Sequence, residues 1–445
     1  MLILKIGLNT KNKLTYLYSF NLLLNLSVIS NEFCKGITNE ININEILEKL
    51  IYFYPLFGKF ERINNNNKFI GVNINEDEKA ESYYFGSQIL KLLGNLFVSC
   101  DIYESFEALD FYEKIFYLLS VFNLDYDNKV HLSLRYDYLD TLIWLIYLFF
   151  IKVENISIKY YDIIINLIPK LLHYIRALYY TNETELLNKI LYIIEYLSDN
   201  NDKFIKKIID CDGIKILINL FGYLFNSNND AGEIKITHDI VDRIIIIFAN
   251  ISTLDSIYFK NIDFSLFALV FEKLFSIYKM DYNNLYNIQS NLVLILSNLA
   301  CYNDIEDIIN KLLMNNKIIN DLFNYYYKDN PKQVLLFIDN IMRKQHKQVR
   351  DNILNMGAFD IIRKNICDFN GDKNNYIIES IKVLYNLIKA EKSFNIRLLF
   401  EKLYKTSIPE KIKQIIFNKD FPEDIEEIIK LIINDFEKYE KSLEN

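Results

Sequence analysis

The sequence is poor in glycine, proline, histidine and tryptophan. Eleven Gly and five Pro in 445 residues leave few sites for tight turns or breaks, and long helices tolerate neither residue well, so the shortage points to an all-α chain. The five Cys, at positions 34, 100, 211, 301 and 367, form no CxxC pair and read as buried thiols of a reducing compartment. His131, His173, His238 and His346 are scattered without Cys or acidic partners at ligand spacing, which predicts no metal site. There is no Gly-rich phosphate loop, no nucleophile elbow and no acid/base pair at motif spacing. No catalytic residue, cofactor or enzyme activity is therefore expected. Positive charge is not in excess: 50 Lys+Arg against 58 Asp+Glu give a net charge of −8, which argues against nucleic acid and suits a basic partner. The most apolar run, Thr141 to Ile151, is too short for a bilayer, and MLILKIGLNTKNK at the start has no signal-like apolar core. A soluble, intracellular chain with no membrane partner is expected.

What is present is apolar periodicity. Hydrophobic residues make up 51% of the chain, ample for a core. The richness in Ile, Asn, Lys and Tyr reads as an AT-rich gene more than as function, so periodicity outweighs β-propensity here. Helices are predicted over Leu14–Ser30, Ile43–Leu56, Ser82–Ser99, Phe106–Leu119, Tyr136–Lys152, Ile158–Ile175, Glu183–Ser198, Ile236–Ser252, Ser265–Tyr278 and Asn284–Ala300. Others follow at Ile305–Met314, Ile318–Tyr327, Lys332–Met342, Val349–Asn355, Ala358–Asn365, Asn375–Ala390, Ile396–Tyr404, Pro409–Ile416 and Glu423–Tyr439. A break is expected just before Pro169. Lys59 to Ala80, with its asparagine run and acidic NEDEKA, reads as a solvated or disordered insertion, and Asn226 to Glu233 as a loop.

The helices repeat. Ile194 to Phe221 and Ile338 to Ile366 share one grammar: an apolar helix ends, a polar turn follows, a short helix runs to a glycine, and a new helix begins. Their glycines, Gly213 and Gly357, lie 144 residues apart, three units of 48. Apolar runs ending in Asn recur at Asn25, Asn95, Asn250, Asn298, Asn340 and Asn386, and the last three intervals are 48, 42 and 46. A three-helix repeat of this length is the armadillo period. Units 1–445 are expected to stack as one right-handed α-solenoid of about nine armadillo repeats, with third helices lining a concave groove.

YLSDNNDKFIKKIIDCDGIKILINLF resembles the fifth armadillo repeat of importin-α proteins. LIWLIYLFF with IPKLLHYI resembles the fourth, NLVLILSNLACYNDIEDII the seventh, and IDNIMRKQHKQVRDNILNMGAFDII the eighth-to-ninth junction. Ile396 to Glu437 resembles the tenth, closing repeat. On that register the chain begins inside the second repeat, without the basic N-terminal arm with which the family binds importin-β; no Arg/Lys cluster precedes Leu14. An importin-β heterodimer through such an arm is not expected. The resemblance implies an adaptor for nuclear import, in cytoplasm and nucleus, taking protein or peptide cargo with basic signals, and a recycling exportin on the C-terminal repeats. The other reading is an armadillo scaffold outside nuclear transport.

The family's groove pairs a Trp with an Asn four residues later, which share a helix face. The Asn amide pairs with an extended peptide backbone, while Trp rings sandwich the stem of a Lys or Arg. By resemblance the groove residues here are Asn25, Asn95, Trp144, Tyr192, Tyr196, Asn250, Asn298 and Asn340. Much of the Trp set is replaced: Asn21, Lys91, Ile246, Leu294 and Leu336 stand in Trp positions, Leu148 in an Asn position. Lys91 should repel a basic peptide, and loss of stacking rings should cost about 0.5–2 kcal/mol per site. The N-terminal groove is thus expected to bind Lys-rich signals weakly. The plainer reading stands beside it: a lone Trp on an apolar helix is often core, and a helix-end Asn often satisfies backbone.

Overall fold

The structure is a computed structural model. It describes residues 12–29, 31–40, 76–99, 111–122, 132–152, 156–178, 181, 183–227, 234–254, 264–278, 286–302, 308–344, 347–369, 376–392, 396–416 and 421–444. The helix expected at Ile43–Leu56 and most of the insertion expected at Lys59–Ala80 lie outside them. All regular structure among the described residues is helical, and the chain is an all-α solenoid of packed helical repeats.

By residue contacts the chain divides into two compact units, Met1–Cys211 and Asp212–Asn445. The first holds α1 (Lys13–Ile29), α2 (Asn31–Glu40), α3 (Glu76–Ser99), α4 (Phe111–Val121), α5 (Leu132–Lys152), α6 (Tyr161–Leu178), α7 (Thr184–Asn200) and α8 (Asp202–Asp210). Its helices form two rows. One row is α1, α3, α5 and α7, each packed on the next; the other is α4, α6 and α8. Each helix offers an apolar stripe to its own row and another to the opposite row, as α5 does with buried Leu139, Leu142, Ile146 and Phe149.

The second unit holds α9 (Gly213–Ser227), α10 (Ile234–Ile251), α11 (Phe264–Tyr278), α12 (Tyr286–Leu299), α13 (Asn316–Asp321), α14 (Pro331–Lys344), α15 (Lys347–Ile353), α16 (Phe359–Cys367), α17 (Ile377–Glu391), α18 (Ile396–Tyr404), α19 (Ile408–Ile415) and α20 (Glu423–Glu444). Here the first row is α10, α12, α14, α17 and α20, and α9, α11 and α13 begin the second. Wide helical turns interrupt it at Ile309–Leu313 and Leu322–Tyr326, the latter shown by Tyr327 N–H donating to the Leu322 carbonyl.

Buried tyrosines latch the second row. Tyr174 Oη donates to the Phe122 carbonyl at 2.7 Å across 52 residues, and Tyr326 Oη to the Phe275 carbonyl at 3.1 Å across 51. Each latch thus spans about one repeat.

Two expectations are corrected. α6 runs unbroken through Pro169, because Leu167 and Ile168 before it and Leu171 and Leu172 after it are all buried; burial outweighs the lost hydrogen bond. α3 begins at Glu76, so the acidic residues up to Ala80 belong to a helix rather than to the insertion. At the first glycine junction the left-handed residue is Asp212 (φ 60°), with Gly213 opening the next helix, whereas at the second it is Gly357 itself (φ 126°).

Candidate peptide-binding face

In the first unit the row face is built by helical spacing. α3 places Ser87, Lys91 and Asn95 four residues apart along one side. α5 contributes Asp137, Asp140, Trp144 and Tyr147, and α7 contributes Lys189, Tyr192 and Tyr196. Apart from buried Ser87, all of these are half-buried: walled by neighbours yet reachable from solvent.

Trp144 rests on α3. Its six-membered ring occupies the space a Cβ on Gly94 would need, so that position must be glycine for the two helices to approach. Tyr192 meets Tyr147 edge-on with centroids 4.8 Å apart, and Tyr196 tilts onto Phe150 at 5.1 Å. Burial pushes the Tyr196 hydroxyl up in pKa, and Tyr192 and Asp199 add to the shift, so it stays a neutral donor.

The charges of this face are committed within it. Asp137 accepts from Ser87 Oγ and from Lys91 Nζ, both at 2.7 Å. The repulsion expected of Lys91 is therefore blunted, because its ammonium is paired with the next helix. Lys189 bridges to Asp140 at 2.8 Å and to Glu185 at 3.1 Å. Burial works to lower its pKa, but the two carboxylates outweigh that and raise it.

The asparagines form an inter-helix ladder. Asn95 Nδ2 donates to Ser27 Oγ at 3.0 Å, from α3 to α1. In the second unit Asn298 donates to Ser252 Oγ at 3.0 Å across 46 residues, and Asn340 to the Ser297 carbonyl and hydroxyl at 3.0 and 3.1 Å across 43. Asn386 donates to Asp339 at 2.7 Å across 47, and Asp339 also holds Arg343 at 2.6 Å. Asn250 is half-buried at the end of α10, where its carbonyl accepts from Thr253 Oγ1 at 2.7 Å. Asn25 stands exposed on the side of α1 opposite Ser27, away from α3.

The structure thus brings Asn95, Trp144, Tyr192 and Tyr196 onto consecutive helices of one row, and Asn250, Asn298 and Asn340 onto consecutive helices of another. The acceptors Ser27, Ser252, Ser297 and Asp339, and the Lys91–Asp137 and Lys189–Asp140 pairs, were not legible as partners. In the second unit each acceptor precedes its asparagine by about one repeat, whereas Ser27 precedes Asn95 by 68 residues. An amide has two N–H groups and a carbonyl, so the ladder bonds at Asn95 and Asn298 fix the side chain while leaving capacity for an extended backbone. In the second unit Leu294 is half-buried and Leu336 exposed beside these amides, an aliphatic rather than aromatic setting.

Among the described residues no three His, Cys, Asp or Glu side chains are grouped to hold a metal, and no helix is long and apolar enough to cross a membrane. Cys34, Cys211, Cys301 and Cys367 are thiols.

No family model matches the sequence, and no curated protein matches it. Among solved structures, an engineered protein is similar over 98% of both chains, with TM-score 0.58 and 11% identity. A designed armadillo repeat protein in complex with the peptide (KR)4 is 14% identical over 60% of this chain and 99% of its own, with TM-score 0.45. A computationally designed armadillo repeat protein for modular peptide recognition gives the same figures: TM-score 0.45, 14% identity, and 60% and 99% coverage. At these identities the likeness concerns the fold alone.

Proposed function

We propose that the chain is a protein-interaction scaffold that holds an extended peptide segment along its first-row helices. The observation that carries this reading is the alignment, on neighbouring helices, of half-buried aromatic and amide side chains already held in place by inter-helix bonds. Such a surface offers backbone hydrogen bonding at repeat intervals and stacking for side chains between them. The chemistry is binding rather than catalysis.

Within this reading, the finer proposal is an importin-α-like adaptor that carries cargo between cytoplasm and nucleus, with a recycling exportin on the C-terminal repeats. The sequence resemblance supports it. The Lys91–Asp137 and Lys189–Asp140 pairs favour the second reading, a scaffold outside transport, because carboxylates that could take a basic side chain already hold lysines.

Fluorescence anisotropy with labelled peptides tests both. An extended peptide of mixed aromatic and polar sequence should bind, and Tyr192→Ala should weaken it about 5–30-fold, as loss of a stacking ring implies. A plain Lys-rich signal should bind no tighter than tens of micromolar. Low-micromolar binding of that signal, with exportin captured from lysate, would instead establish the transport adaptor.

A further inference from the structure

The outer face of α1 is a second surface. Among the described residues α1 packs on α2 and α3. Phe20, Leu23, Leu24 and Ser27 are buried on one side of it. With a 3.6-residue period, Thr15, Tyr18, Leu22, Asn25 and Ile29 fall on the opposite side, and all five are exposed: Tyr18 by 73%, Leu22 by 48% and Ile29 by 76%. Their steps of three and four residues are those of a helix-pairing seam. Lys13 is the only charged residue of the helix and lies before the stripe.

We propose that this stripe is a homodimer interface, in which the α1 helices of two copies pack antiparallel about a two-fold axis at Leu22. The spacing is self-complementary about that residue: Thr15 and Ile29 lie seven positions either side, Tyr18 four before and Asn25 three after. Antiparallel pairing sets Leu22 on its copy, Thr15 against Ile29, and the Asn25 amide against the Tyr18 hydroxyl of the other chain. Two of the three polar side chains of the stripe, Tyr18 and Asn25, thereby gain a partner, while Thr15 lies near the start of the helix, at the edge of the contact. No like charges meet.

The last helix of the second unit is different. The outer face of α20 carries exposed Glu427, Lys430, Asn434, Glu437, Lys438 and Lys441, with Leu431 the apolar exception. Stacking α20 of one copy on α1 of another would bury those charges against a neutral stripe, which disfavours head-to-tail filaments. A closed pair is what the α1 stripe fits. A 17-residue helix is about 25 Å long, and one helix pair of that length buries at most about the 1,200 Å² lower bound of stable interfaces, so the dimer is concentration-dependent.

Sedimentation of the full chain from about 1 to 100 μM is the test. The mass should rise from 53.0 kDa toward twice that value, and Leu22→Lys, which sets two ammonium groups on the axis, should keep it at 53.0 kDa. Leu22 is half-exposed, so the thermal melt of this variant should match the parent. Under mild oxidation Leu22→Cys should crosslink to its own copy far faster than the unsubstituted chain, or than Val98→Cys on the exposed surface of α3. A monomer at every concentration, a dimer that survives Leu22→Lys, or equal crosslinking at both cysteines would each overturn the proposal.

Discussion

At the scale of single residues, the side chains that shape the candidate site also hold the helices together. Trp144 lies on Gly94, so Gly94→Ala should force the ring out and cost about 1–3 kcal/mol in urea unfolding, with a changed Trp144 emission. Retained stability and an unchanged spectrum would contradict that close approach. Asn340→Ala removes the bonds to Ser297 and should cost about 1 kcal/mol by the same measurement. The acid side of stability has its own residue. Lys317 and Asn315 donate to Glu272 at 2.8 and 3.0 Å and hold its carboxyl below the ordinary 4.5. A depressed carboxylate stabilises the fold above its unfolded value and loses that contribution as pH falls through its lower folded value. The melting temperature of Glu272→Gln should therefore lie slightly below the parent at pH 7 and meet it as pH falls through and below about 4.5; the pair is partly exposed, so the effect is small. The ladder asparagines could be found in sequence because they recur at the same position of each repeat. Their acceptors could not, because Ser27 and Asn95 are 68 residues apart and only packing shows which helices adjoin.

At the scale of elements, apolar periodicity located most helices to within a few residues, since burial of one stripe makes the helix and leaves its mark in sequence. It failed where a local rule met tertiary burial. Pro169 reads as a break, yet α6 continues because its buried stripe extends on both sides. Pro169→Ala restores a backbone donor toward Ile165 and should raise stability by about 1–3 kcal/mol, measured by urea denaturation. A neutral or destabilising result would mean that the helix is already bent to suit proline. The N-terminus of α3, at Glu76, was missed because the polar segment before Ser82 has the composition of a loop.

At the scale of the whole molecule, the all-α repeat class was legible from scarce glycine and proline and from recurring helix grammar. Chemistry along the rows was less so: resemblance supplied positions, but whether Lys91 repels a ligand depends on Asp137 of another repeat. Helices that touch chiefly their neighbours unfold with limited cooperativity. Trp144 is the only tryptophan and belongs to the first unit, whereas circular dichroism reports every helix. Urea transitions followed by the two signals should separate; coincident curves would mean one cooperative block.

The wide turns at Ile309–Leu313 and Leu322–Tyr326 both fall between Asn298 and Asn340, the shortest of the three intervals at 42 residues. A wide turn takes up one residue more than an ordinary helical turn without ending the helix. The intervals between Asn250, Asn298, Asn340 and Asn386 vary as 48, 42 and 46, yet Asn298, Asn340 and Asn386 each still reach the preceding first-row helix. The rungs of the first row thus stay in phase across repeats of unequal length.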